Sequence, residues 1–201
     1  MIGDPCKWRA LGLATFFISV ATFAAPKPET IATCETCHGK GGNSETALTP
    51  SIAGQPETFL TNQLFFFREE LRVAKPPAQE GLPSMRDVAR RLNDKQMTEL
   101  AKYFSTRPVR ITSPGAADPK VEARARQLTD TMHCGQCHLQ DFRGRSQMPR
   151  IAGQREDYLV STMLAYRDGK RTGADTTMTE VLYGVSDADI KALGHFLARR
   201  K

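Results

Sequence analysis

Cys34-Glu35-Thr36-Cys37-His38 and, a hundred positions on, Cys134-Gly135-Gln136-Cys137-His138 decide how this chain is read. Cys-x-x-Cys-His is the attachment signature of a c-type haem. The two thiols form thioethers with the vinyl groups of one porphyrin, and the adjacent histidine falls under the iron as its proximal ligand. Two copies imply two covalently attached haem c groups, held by Cys34 and Cys37 and by Cys134 and Cys137, with His38 and His138 on the irons. A tethered haem needs no large enclosing pocket, so a small domain can carry it. Paired Cys-x-x-Cys motifs can also be redox dithiols or a four-cysteine zinc site. A zinc site needs no histidine directly after each pair, and a thioredoxin-like motif follows a strand and occurs once per domain.

Each motif opens a longer repeat. Pro50-Ser51-Ile52-Ala53-Gly54-Gln55 recurs as Pro149-Arg150-Ile151-Ala152-Gly153-Gln154, and Phe67-Arg68 recurs as Tyr166-Arg167. Met85, followed 18 residues later by Tyr103, matches Met178, followed 18 residues later by Phe196. Three blocks in one order describe a duplicated domain of about a hundred residues, within the usual size range for domains. The segment 107–118 between the halves is rich in proline and glycine, and reads as a short linker that keeps the domains close. The expected division is 1–24 signal peptide, 25–106 first domain, 107–118 linker and 119–201 second domain.

The pattern is all-α. Asp118 caps a helix with Pro119 in its first turn, and Val121, Ala125, Leu128 and Met132 follow at helical spacing. Residues 58–71 and 157–166 read as helices with an aromatic and aliphatic face. Asn93 and Ser186 cap the last helix of each half. No convincing strand alternation occurs.

Lys7 and Arg9 precede an apolar run from Ala10 to Phe23 that ends in a small-x-small site, the pattern of a cleaved secretory signal. Fourteen apolar residues are too few to span a bilayer comfortably, which takes about 20. Cleavage would remove Cys6 and lower the formal charge from +6 to +5. Export to the periplasm agrees with haem c, which bacteria attach outside the cytoplasm. Haem propionates would offset much of the positive charge, so nucleic acid is not an expected partner. A mildly basic surface suits an acidic redox protein.

The second axial position must come from elsewhere. Of the four histidines, His133 is too near its tether, and His195 reads as a residue of a solvated helix face. Methionine remains, and its soft, neutral thioether favours ferrous iron and raises the potential. The repeat equates Met85 and Met178, so these are the expected ligands. Core filling is the competing role for any methionine. Met97, Met132 and Met163 fit it, and Met148, beside Pro149, is the strongest rival.

With CxxCH, P-x-I-A-G-Q, an aromatic-Arg pair, the methionine and a capped final helix in place, each half resembles the class I cytochromes c. The tandem is similar to the di-haem cytochromes of the c-four type, which are periplasmic electron carriers. The resemblance covers nearly the whole mature chain. It implies two domains of a few short helices related by a pseudo-two-fold axis, with propionate edges close together. It further implies that Pro50 and Pro149 present carbonyls to the proximal imidazoles, and that Arg68 and Arg167 pair with propionates. The second motif is followed by Leu139 where the first has Gly39, and the insert 75–83 is longer than its counterpart.

The leading expectation is an electron carrier, not an enzyme, because two six-coordinate haems leave no site for substrate. Its partners would be a membrane oxidase, a quinol-oxidising complex or a dehydrogenase, with room for peripheral association at the membrane. The alternatives are a cytochrome subunit of a dehydrogenase or oxidase complex, or a di-haem redox enzyme. The last needs an exchangeable iron or a cysteine ligand, and site chemistry rather than fold decides it.

Overall fold

The computed structural model describes residues 25–74, 76, 80–113, 115–171, 173 and 176–201. The expected signal peptide, residues 1–24, lies outside them. Regular structure among the described residues is helical, with one isolated bridge between Arg145 and Met148 and no strand.

In the first half, α1 (Pro28–His38) carries the attachment motif as its last turns and is followed by a 3-10 turn at Lys40–Gly42. Then come α2 (Glu57–Arg68), α3 (Met85–Arg90) and α4 (Asp94–Ser105). In the second half, α5 (Pro119–Thr131) breaks at His133, whose φ of 55° is left-handed, before α6 (Cys134–His138) holds the motif. α7 (Glu156–Arg167), α8 (Thr177–Val181) and α9 (Asp187–Ala198) complete the repeat.

The expected caps are present. Asn93 Oδ1 accepts from Gln96 N at 2.9 Å and Gln96 Oε1 accepts from Asn93 N at 2.9 Å, a closed capping box on α4. Ser186 Oγ accepts from Asp189 N at 3.1 Å on α9. Asp118 Oδ1 accepts from Lys120 N at 2.9 Å ahead of Pro119. Each such cap stabilises its helix by about 1 kcal/mol.

Each half has its own apolar core. Leu60, Phe67, Met97, Leu100 and Phe104 bury together where α4 crosses α2. Leu128, Leu159, Ile190, Leu193 and Phe196 do so where α9 crosses α5 and α7. Truncating a buried phenylalanine such as Phe104 or Phe196 to alanine would cost about 3–5 kcal/mol. The repeated Ile-Ala-Gly-Gln block ties each final helix to its motif: Gly54 N donates to Phe104 O at 2.9 Å, and Gly153 N to Leu197 O at 3.0 Å.

The connection between the halves is pinned. Asn43 Nδ2 donates to Pro108 O at 3.0 Å and Asn43 Oδ1 accepts from Arg110 N at 2.7 Å. Val109 lies so close to Gly54, whose φ is +62°, that a Cβ there would stand 2.4 Å from Val109 Cγ2. His195 does not sit on a solvated face as its sequence position suggested. Its Nε2 accepts from Asp118 N at 3.1 Å and its Nδ1 lies 3.5 Å from Glu156, so it secures the start of α5 against α7 and α9.

Candidate functional site

His38 and His138 are buried, and each ring is anchored in the same way. Nδ1 of His38 donates to Pro50 O at 2.8 Å, and Nδ1 of His138 donates to Pro149 O at 2.8 Å. A carbonyl on Nδ1 places the proton there and leaves the Nε2 lone pair free for a metal. Desolvation lowers the pKa of both imidazoles, which keeps them neutral near pH 7. The proline segments are themselves held. Gly42 O accepts from Ile52 N and Ala53 N at 2.7 and 3.0 Å, and Phe142 O accepts from Ile151 N and Ala152 N at 2.9 and 3.0 Å.

Both motifs open into one cavity of about 1020 Å³ that runs across the two halves. Cys34, Cys37, Cys134 and Cys137 all line it. Burial pushes the Cys34 thiol up to about 11 and raises Cys134 as well. Phe59, Leu60, Phe67, Leu100, Leu159 and Leu193 make its walls apolar. Met85, the first residue of α3, and Met178, in the first turn of α8, both line the cavity. Met148 lines it too, but its neighbour Pro149 is the residue that holds His138, so its backbone lies on the proximal side. Met97 is absent from the wall and fills the first core. No group of three or more His, Cys, Asp or Glu able to hold a metal ion occurs among the described residues. A four-cysteine zinc site is therefore not assembled.

The arginines named by resemblance lie elsewhere. Arg68 pairs with Asp94 at 2.6 Å and Glu69 at 2.8 Å, bracing α2 against the start of α4. Arg167 pairs with Asp187 at 2.5 Å and Asp168 at 2.9 Å, bracing α7 against α9. Neither lines the cavity. Among the cations that line it, with Arg150 and Lys170, are Arg72 and Arg171, one repeat apart in the sequence. Between them stands Tyr158, whose hydroxyl accepts from Arg72 Nη2 at 3.3 Å and from Arg171 Nη1 at 3.5 Å. Burial opposes ionisation of Tyr158. The charges of Arg171 and Arg72 and their hydrogen bonds outweigh it and bring its pKa down to about 7. This cationic pair, bridged by a tyrosine on the wall of a largely apolar cavity, suits the anionic propionates of haem. The repeat could have revealed it, since both arginines follow their aromatic-Arg pair by the same interval.

The arrangement therefore fits the group that the motifs imply: thiols to tether it, a neutral oriented imidazole, a thioether, apolar walls and cationic side chains. A family model described as Cytochrome c matches residues 29–107 and again 122–201. Cytochrome c4 of Azotobacter vinelandii is 31% identical over 182 residues, covering 83% of this chain and 83% of that protein. A protein of Thiomonas intermedia named thiosulfate dehydrogenase electron acceptor is 29% identical over 204 residues, covering 94% of this chain and 90% of its own. The crystal structure of reduced recombinant cytochrome c4 from Pseudomonas stutzeri superposes with a TM-score of 0.72 at 27% identity, over 89% of this chain and 100% of that one. The chain belongs to the cytochrome c family, as a tandem di-haem electron-transfer cytochrome of the c4 type with two covalently attached haem c groups.

Proposed function

We propose that His38 and Met85 ligate one iron and His138 and Met178 the other, and that the exported chain carries electrons in the periplasm between a dehydrogenase or quinol-oxidising complex and a membrane oxidase. The observation that carries this reading is the repeated pairing on the cavity wall of a carbonyl-anchored imidazole with a methionine from the first turn of a short helix. Bound haem supplies one-electron chemistry at its iron. The protein contributes the rest. The Pro50 and Pro149 carbonyls hold the proton on Nδ1 and make each imidazole a stronger donor. The thioethers of Met85 and Met178 would be the second protein ligands to the irons, and as soft, neutral donors would raise the potential. The apolar walls keep water out, and Arg72 and Arg171 are placed to take the propionates.

With a histidine and a methionine supplied to each iron, the haems would have no open position for substrate, which supports a carrier rather than a catalyst. The name of the Thiomonas relative, an acceptor of electrons from a thiosulfate dehydrogenase, favours a dehydrogenase as the donor here. A first-domain sequence starting near Ala25 in the mature protein, read by N-terminal sequencing, is the outcome expected of export. The direct test of ligation is carbon monoxide added to the reduced protein. An unchanged absorbance spectrum is expected. Ready binding at either haem would remove Met85 or Met178 from the ligand set and open the iron to catalysis.

A further inference from the structure

The two halves meet through a reciprocal pair of side-chain amides. Gln154 Nε2 donates to Ser51 O at 2.8 Å, and Gln154 Oε1 accepts from Ser51 N at 2.7 Å. Gln55 Nε2 donates to Arg150 O at 2.8 Å, and Gln55 Oε1 accepts from Arg150 N at 2.9 Å. Ser51 and Arg150 occupy the same place in the repeat, directly after the prolines whose carbonyls hold the histidines. One peptide group, Pro50 to Ser51, therefore carries His38 on its oxygen and Gln154 of the opposite half on its N–H. The peptide group from Pro149 to Arg150 carries His138 on its oxygen and Gln55 on its N–H. Both glutamines are 5% exposed and Ser51 is 4% exposed, so water cannot replace these bonds without parting the halves.

We propose that Gln154 is the positioning residue for the proximal histidine of the first half and Gln55 for that of the second, so that each domain tunes the other's haem. This rests on His38 and His138 being iron ligands. An amide whose N–H is hydrogen-bonded is polarised, and its carbonyl becomes a better acceptor, because chains of hydrogen bonds strengthen one another. A better acceptor on Nδ1–H makes the imidazole a stronger donor to iron, which favours the ferric state. The two-point grip also fixes the plane of the peptide, and with it the direction of the carbonyl. Losing the glutamine weakens that acceptor and raises the potential of the haem in the opposite half. If the glutamines merely hold the halves together, removing either one loosens the interface and disturbs both haems alike.

The test uses the full-length, haem-loaded protein. Both potentials are followed by spectroelectrochemical titration, with the haems assigned by NMR of their methyl groups. Gln154→Leu should raise the haem tethered by Cys34 and Cys37 and leave the other in place. Gln55→Leu should do the reverse. The expected change is about three- to tenfold in the reduction equilibrium, or about 30–60 mV at 59 mV per tenfold for one electron. The ring Nδ1–H resonance of His38 should move in Gln154→Leu while that of His138 does not. Gln154→Glu retains an acceptor facing Ser51 N and guards against failure of the leucine variant to fold; its first haem should stay level or fall. The proposal is overturned by equal shifts at both haems, by a shift at the variant's own half, by no shift, or by a rise in Gln154→Glu. Ligation is read separately, from the spectrum of the unmodified protein.

Discussion

Leu139 holds the backbone conformation that Gly39 holds one repeat earlier, φ 67° and ψ 161° against φ 74° and ψ 164°. That region is nearly glycine-only and costs a side-chain-bearing residue about 1–3 kcal/mol. A Cβ at Gly39 would stand 2.2 Å from Asn43 O, so the first half has no room for the substitution the second half tolerates. Leu139→Gly should therefore stabilise the protein by about 1 kcal/mol, after the added freedom of the unfolded chain is subtracted. Gly39→Ala should destabilise it. Urea unfolding followed by circular dichroism reads both, and a destabilised Leu139→Gly would show that the leucine side chain contributes more than its backbone costs.

Covalent attachment is separable between the halves because each has its own core. Replacing Cys134 and Cys137 together with alanine should leave one covalent haem per chain instead of two. Mass spectrometry of the denatured protein and the pyridine haemochrome give the count. Retention of two would show that a histidine and the cavity suffice for attachment.

Removing one thioether should open one iron. Met85→Ala or Met178→Ala is expected to bind carbon monoxide at a single haem and to lower that haem's potential by about 60 mV or more, the 59 mV equivalent of a tenfold change. If Met148→Ala does this and Met178→Ala does not, the second ligand is misassigned.

Arg72 joins the halves through Tyr158 and also lies 4.4 Å over the Phe67 ring. Arg72→Met retains most of the apolar stem and loses the charge. It leaves the Tyr158 hydroxyl with Arg171 alone and should destabilise the protein by about 1–3 kcal/mol. Thermal unfolding checks the loss, and a variant as stable as the parent would make the contact incidental.

Acid should loosen the interface through Asp157. Burial works against its charge, but hydrogen bonds from Arg155 and from the backbone N–H of Leu48 and Tyr158 hold its carboxyl below the ordinary value of 3.8. The Leu48 bond, at 3.0 Å, crosses between the halves. A carboxyl with a depressed folded pKa stabilises fully above its unfolded value, and that contribution is lost as pH falls through the folded value. The stability of the parent should thus fall more steeply below about pH 4 than that of Asp157→Asn, measured by denaturant midpoints across the acid range. Identical slopes would remove Asp157 from the acid response.

Much of the site was legible in the chain itself. The two attachment motifs follow from a five-residue spacing, and the caps at Asn93, Asp118 and Ser186 follow from residue type beside an apolar period. The prolines at 50 and 149 lay in a repeated block and stand where the resemblance implied. Arg68 and Arg167 show where such reasoning fails. They follow an aromatic residue in both halves, yet Asp94 and Asp187, the first residues of the final helices, lie within reach and capture them. Nothing local to Arg68 announces an acid 26 positions away.

The sequence by itself determined the tethers, the duplication and the helical class, because each depends on bonds or periodicities spanning a few residues. Only the tertiary structure decided that Arg72 and Arg171 share one tyrosine, that His195 secures the connection between the halves, and that Gln55 and Gln154 each grip the other domain. These depend on how two cores pack and which long polar side chains then meet across the seam. Those distances are set by the whole fold rather than by neighbours along the chain.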